Sequence, residues 1–276
     1  VASRQRRRQI LILLVMSYVF FWLASGWHLI LLLISTCIDW TAGRKMHETD
    51  DYARRKRWLR ISLVTNLSLL GVFKYLDFLI ESWNLVSLRF TDSLDVGVVG
   101  LALPVGISFY TFQTMSYTID IYRKKQKPYD SFLDFACYAA FFPQLVAGPI
   151  VRADHFREQI KEPLAPSAYR FRFGMTLIIY GIAKKLVIAD NVAVHANEVF
   201  VEGEHLANIG LIWWATLCFG IQIYCDFSAY TDIAIGSAHL IGVELPENFK
   251  TPYAAITPQD FWRRWHISLS TWLRDY

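Results

Sequence analysis

The residues best equipped for chemistry lie between Thr257 and Tyr276, where Thr257-Pro258-Gln259-Asp260 precedes a run of tryptophans, arginines and one histidine. A hydroxyl, a proline and an acid three residues after the hydroxyl make a helix start: the hydroxyl accepts from free backbone N–H groups, and proline has none to lose there. Continued at helical spacing, Trp262, Trp265, His266, Leu269, Trp272 and Leu273 fall on one face. Arg263, Ser270 and Arg274 form a second strip, and Arg264, Ser268, Thr271 and Asp275 a third. His266 is therefore expected on the aromatic face. A dry aromatic setting pushes an imidazole toward its neutral form, which is what a general base needs. The neighbouring Arg263 and Arg264 are able to hold phosphate or carboxylate groups through paired N–H donors. The alternative is a packed, hydrogen-bonded histidine, with the arginines anchoring the helix at lipid headgroups. Spacing leaves both readings open.

Other reactive side chains point less sharply. Asp226 and Asp232 stand inside an apolar stretch, where each costs several kcal/mol unless it is paired or wetted by a cavity. They read either as the wall of a polar tunnel or as a hydrogen-bond network between helices. Cys37, Cys137, Cys218 and Cys225 all lie in apolar segments with no Cys-x-x-Cys pair, as small buried hydrophobes do. The histidines show no His-x-x-x-His spacing, and the Glu202-x-x-His205 pair sits in a short polar loop without further ligands, so no metal is expected. Asn66-Leu67-Ser68 matches a glycosylation sequon inside an apolar run and is taken as chance.

The elements that must position these residues are membrane helices. The 276 residues are 54% hydrophobic and 19% charged, too apolar for a water-facing surface, and the charges gather in short runs between long apolar stretches. A net charge of +4 without a basic stripe along a polar helix excludes a nucleic-acid partner. Spanning hydrocarbon takes roughly 20 helical residues. Residues 10–23 and 29–38 predict a tight hairpin of two short spans, because basic clusters (Arg4 to Arg8, then Arg44 to Arg57) flank it on both sides and belong in the cytoplasm. Residues 61–80 predict an outward span, 81–95 an external loop, and 96–122 a return to the basic Arg123-Lys124-Lys125-Gln126-Lys127. Residues 132–151 have basic flanks at both ends and are broken by Pro143 and Gly148-Pro149, which predicts a re-entrant segment walling a central cavity. Residues 173–200 form an apolar run interrupted by Lys184, Lys185 and Asp190, and 206–224 a further span continuing to Val243. No boundary splits the chain, so residues 1–276 are expected to form one all-α, polytopic membrane domain. Val1 is not Met and Tyr276 falls mid-pattern, so both ends are expected to be cut, with no signal peptide.

Four motifs, in order, carry a resemblance: Leu103-Pro104-Val105-Gly106-Ile107-Ser108-Phe109-Tyr110, Phe142-Pro143-Gln144-Leu145-Val146-Ala147-Gly148-Pro149, Tyr224-Cys225-Asp226-Phe227-Ser228-Ala229-Tyr230-Thr231-Asp232-Ile233-Ala234-Ile235-Gly236, and Phe261 through Tyr276. Across essentially its whole length the chain resembles the membrane-bound O-acyltransferase (MBOAT) family, in its bacterial alginate O-acetylation branch. The resemblance implies helices around a central funnel in the bacterial inner membrane. It implies transfer of an acyl group, usually acetyl, from a cytoplasmic donor such as acetyl-CoA toward an extracytoplasmic polysaccharide, with no bound cofactor. A periplasmic acetyltransferase is the partner it suggests, beside the membrane lipids. His266 matches the first of two family site histidines. The second belongs in a Trp-His segment beyond Tyr276, so the chain by itself is expected to be inactive. Arg263 or Arg264 would meet an anionic donor, while Asp226, Tyr230, Asp232 and Asn248 would line or brace the tunnel as substrate-binding residues. Two other readings fit the same residues: a transporter or flippase, although no inverted repeat is present, and a scaffold that recruits a soluble periplasmic acetyltransferase.

Overall fold

A computed structural model describes every residue except 1, 88–95, 166, 202 and 204–207. Glu202, His205 and the distal part of the expected external loop, with Arg89, therefore lie outside the described residues. The described residues form helices and no strand. Among the described residues, three helical stretches are long and apolar enough to cross a membrane: Ser3–His47, Tyr52–Ser87 and Ile209–Ile241. Along them Ile12, Val15, Leu23, Val64, Phe78, Trp213 and Leu217 are exposed. Such surfaces suit lipid and not water, as in an integral membrane protein.

By its internal packing the chain divides into two compact units, residues 1–146, 152–158 and 276 in one, and 147–151 and 159–275 in the other. The first contains α1 (Ala2–Ser25), α2 (Leu29–His47), α3 (Tyr52–Ser87), α4 (Ile107–Tyr122), α5 (Phe132–Ala140), α6 (Phe142–Leu145) and all but the last residue of α7 (Ala153–Gln159). The expected hairpin is one 45-residue helical run broken at Gly26. At about 1.5 Å per residue an unbroken run would reach about 67 Å, twice a hydrocarbon core of about 30 Å. Gly26 turns the chain at φ +56°, and the arms diverge so that α5 packs against both. The third span is longer than its apolar stretch, since α3 continues through the expected loop as far as Ser87. Residues 96–122 do not form one span. Helix α4 begins only at Ile107, because Pro104 and Gly106 hold the preceding chain extended and turned. Gly106 has φ +72°, and a side-chain carbon there would collide with the Leu145 carbonyl.

Segment 132–151 is broken, as its prolines and glycine require. Helix α5 stops at Ala140, Phe141 leaves helical geometry, and α6 restarts with Pro143 in its first turn. Residues Phe135 to Phe141 are completely buried. The carbonyl freed at Tyr138 accepts from Gln113 Nε2 at 2.7 Å and Gln144 Nε2 at 3.2 Å. Phe142 N–H donates to Ser17 Oγ at 3.2 Å. Irregular backbone survives at such depth only with partners of this kind. Asp39, also fully buried, accepts from Ser62 Oγ (2.6 Å) and from Asn66 Nδ2 (2.9 Å to each oxygen), which joins α2 to α3. The sequon asparagine is therefore occupied inside the fold.

One cation ties three helices together. The Arg55 guanidinium, buried on α3, donates to Met46 O (2.5 Å) near the end of α2, and to Ile121 O (2.9 Å) and Tyr122 O (2.8 Å) at the end of α4. Helix C-termini expose unpaired carbonyls and a partial negative charge, and a planar fork of donors answers both. Replacing Arg55 by alanine strands these carbonyls and is expected to destabilise the protein by about 2–3 kcal/mol. Thermal unfolding in detergent should show the loss, with Arg55→Lys recovering only part of it because a point charge cannot fork.

Candidate functional site

The expected helix starts where the sequence places it. Thr257 Oγ1 accepts from Asp260 N–H at 3.1 Å, and Pro258 opens α11 (Pro258–Arg264). The helix then breaks at Trp265-His266, and α12 (Ile267–Asp275) starts afresh. The single aromatic face is thus overturned: Trp262 and Leu273 are exposed, whereas His266 and Trp272 are buried. The reason is tertiary. Residues 248–250 run beside the break and bond on both sides of it. Lys250 N–H donates to Arg264 O at 2.9 Å, and Ile267 N–H to Asn248 O at 2.9 Å. The Asn248 side chain adds a third bond, its Oδ1 accepting from Ser268 N–H at 3.1 Å. Trp265 is wedged among Tyr224, Phe249 and Phe261, with ring centroids 5.1–6.1 Å away.

His266 sits at the centre of this clamp in a left-handed conformation, φ +42°. For a residue with a Cβ that costs about 1–2 kcal/mol, and such strain persists only where the surroundings impose it. Its carbonyl receives the first α12 bond, from Ser270 N–H at 2.9 Å. The imidazole meets the Phe227 ring edge-to-face at 4.7 Å. It is 8% exposed, and loss of solvent pushes its pKa down to about 4. A neutral, dry imidazole is available to accept a proton at neutral pH. The Gly148-Pro149 strip belongs to the same unit: Ile150 N–H donates to Ser268 Oγ at 3.0 Å, and Tyr230 meets the Ala147 backbone.

The intramembrane acids find partners on a neighbouring helix. Helix α8 (Ala168–Ala183) passes through a π-helical turn, Lys184–Ala189, into α9 (Asp190–Phe200), beside α10 (Ile209–Ile241). Gly174 and Gly236 let α8 and α10 approach so closely that a side-chain carbon on either would strike the other's carbonyl. Lys184 Nζ lies 2.6 Å from Asp232 and 3.1 Å from Ser228 Oγ. Lys185 Nζ lies 2.6 Å from Asp226 and 2.7 Å from Asp190. A π turn changes side-chain phase within a helix, and such turns often mark functional sites. Asp232 and Asn248 also line a cavity of about 230 Å³, with Phe173, Thr231, His239 and Phe249 among its walls.

These motifs and their relatives identify the chain. Residues 122–276 match the MBOAT, membrane-bound O-acyltransferase family, over more than half of the sequence. The chain belongs to the membrane-bound O-acyltransferase family. It is 38% identical to a protein of Pseudomonas aeruginosa named a probable alginate O-acetylase, over 99% of the chain and 52% of that protein. It is 37% identical to a peptidoglycan O-acetyltransferase of Helicobacter pylori, over 95% of the chain and 54% of the relative. It is 32% identical to a teichoic acid D-alanyltransferase of Bacillus subtilis, over 62% of the chain and 44% of that protein. The chain spans about half the length of the curated relatives it matches.

Within this MBOAT chain, the residues singled out from sequence separate into groups. Asn248 and His266 meet through the clamp, and Tyr230 and Asp226 lie on α10, which supplies Phe227 to the imidazole. Asp226 and Asp232 are bound to Lys185 and Lys184, Arg264 is tied to Asp260 on its own helix at 2.9 Å, and Arg263 is exposed. Among the described residues no cluster of acids, histidines and cysteines suits a metal. Lys184, Lys185, Phe227 and Ser268 received no site role from the sequence. The signal for the lysines was present: two cations in one apolar run and acids in another predict interhelical pairing.

The low pKa of His266 sets a sign for pH dependence. Between about pH 6.5 and 4 an unfolded histidine binds a proton that folded His266 refuses. The contribution is complete above about pH 6.5 and is lost as the pH falls toward 4. Unfolding midpoints measured across this window should fall more for wild type than for His266→Gln. In ¹³C-histidine NMR, His266 should titrate near pH 4, and Asn248→Ala, by loosening the turn, should move it toward the ordinary value.

Proposed function

We propose that the full-length protein is a multi-pass O-acyltransferase of the bacterial inner membrane. It passes an acetyl group from a cytoplasmic donor, acetyl-CoA, toward an extracytoplasmic polysaccharide. The observation that carries the reading is His266: a buried, neutral imidazole held in a strained turn inside the segment shared with O-acyltransferase relatives. In this reading a hydroxyl oxygen attacks the thioester carbonyl, a C–O bond forms, the C–S bond breaks, and the hydroxyl proton ends on the departing thiolate. His266 assists as base or orients the reacting hydroxyl. Arg263, exposed beside the turn, suits the phosphates of the donor, and Arg264 braces α11 through Asp260. Tyr230, Asn248 and the lysine-paired Asp226 and Asp232 line or brace the passage, and the broken segment 132–151 is read as a re-entrant element. A periplasmic acetyltransferase that completes the transfer fits relatives named for alginate and peptidoglycan O-acetylation. Pairing of charge supports this over transport, since Asp226 and Asp232 already hold lysines.

The test is acetyl transfer from labelled acetyl-CoA by the purified full-length protein. His266→Ala should lower the rate on the order of 10²-fold or more. Unchanged acetylation in that variant would remove His266 from the mechanism, and substrate movement without any acetylation would establish transport instead.

A further inference from the structure

Near its N-terminus α3 bears a groove of about 640 Å³ that contains none of the residues proposed for acyl transfer. Its geometry follows from helical ridges. Tyr52, Lys56, Arg60 and Val64 stand four apart in one row, and Ala53, Arg57, Ile61 and Thr65 form the adjacent row. Both rows change character at the same level. Toward the helix start they present Lys56, Arg57 and Arg60; beyond Arg60 they present Ile61 and Val64, both exposed. Ala53 supplies a shallow floor between them. The groove is therefore amphipathic along the helix axis, cationic above and apolar below.

Among the described residues, no carboxylate answers its cations. At this end of the unit Lys45 pairs with Glu48, Arg54 with Asp51, and Lys124 with Asp50. Arg55 turns inward to the carbonyls of α2 and α4. Among the described residues, Lys56, Arg57 and Arg60 have no carboxylate within ion-pair distance; Lys56 lies 5.7 Å from the Tyr52 ring. We propose that this groove binds one anionic phospholipid. Its phosphate is held by the forked donors of Arg57 and Arg60 and by the Lys56 ammonium, and its acyl chain lies over Ile61 and Val64. A zwitterionic lipid brings its own cation to its phosphate and so leaves the net positive charge of the three side chains uncompensated in the headgroup layer. Free phosphate would use only the upper half of the groove. An anionic lipid matches both halves with the spacing of its own head and tail.

The experiment uses the full-length protein, delipidated in neutral detergent and titrated with phosphatidylglycerol, phosphatidylcholine or inorganic phosphate. Bound lipid is counted by native mass spectrometry. Phosphatidylglycerol should be retained in preference to phosphatidylcholine and should not be displaced by phosphate. Arg57→Gln/Arg60→Gln should weaken its retention on the order of tenfold or more. Arg54→Gln, whose arginine is paired outside the groove, should leave retention unchanged. Ala53→Trp, which fills the floor and keeps every charge, should also reduce retention, and this separates a shaped site from general attraction to an anionic surface. A monodisperse elution profile is required of each variant. Retention unaltered by both groove variants, equal retention of the two lipids, or full displacement by phosphate would each overturn the site.

Discussion

In a medium without water, every peptide group released from a helix must find a partner within the protein, and this chain repeatedly uses polar side chains for that purpose. Gln113 and Gln144 converge on the Tyr138 carbonyl, Ser17 takes the Phe142 N–H, and Arg55 gathers carbonyls from two helix ends. Each of these side chains reaches a point where another helix stops or restarts. The breaks are thereby made tolerable, and breaks let a helical membrane protein offer backbone, cavities and turned side chains at depth. A bundle of uninterrupted helices would satisfy its backbone more simply but would lack the turn that holds His266.

The same constraint shapes the candidate site. Between α11 and α12 the chain leaves helical geometry for only two residues, and the neighbouring strip 248–250 takes up the groups on either side. That clamp holds His266 in a left-handed conformation which an isolated peptide would escape. Burial then does the electrostatic work, since loss of solvent is what pushes the imidazole toward its neutral form. Asn248 matters in this arrangement as a positioning residue, because its backbone and side-chain oxygens both serve the start of α12. The acids of α10 follow a different logic. Lys184 and Lys185 neutralise them across a close helix crossing, so the apolar run carries charge without leaving it bare.

Much of this was legible in residue order. The apolar stretches mark the membrane helices because hydrocarbon demands about 20 consecutive apolar residues, a requirement local to the chain. Pro143 breaks segment 132–151, Gly26 turns the first helical run, and Thr257-Pro258 starts α11, all through backbone properties of single residues. Four ordered motifs indicated the family. The break at Trp265-His266 was not legible, since no proline or glycine marks it and its helical periodicity continues unbroken. Nor was the start of α4, where apolar residues before Ile107 resemble more of the same helix.

What the sequence by itself determined, then, is membrane character, helical class, the places where proline, glycine and caps interrupt helices, and the chemistry available at His266. Tertiary structure alone decided which way His266 faces and how it is kept neutral, because the bonds responsible come from residues 248–250 and from Phe227. It also decided that Asp226 and Asp232 are paired, across 41 and 48 positions of sequence, to lysines on another helix. Local rules act through a residue's own backbone and near neighbours. Strain, desolvation and charge pairing depend on what is brought alongside, and that is fixed only when the helices pack.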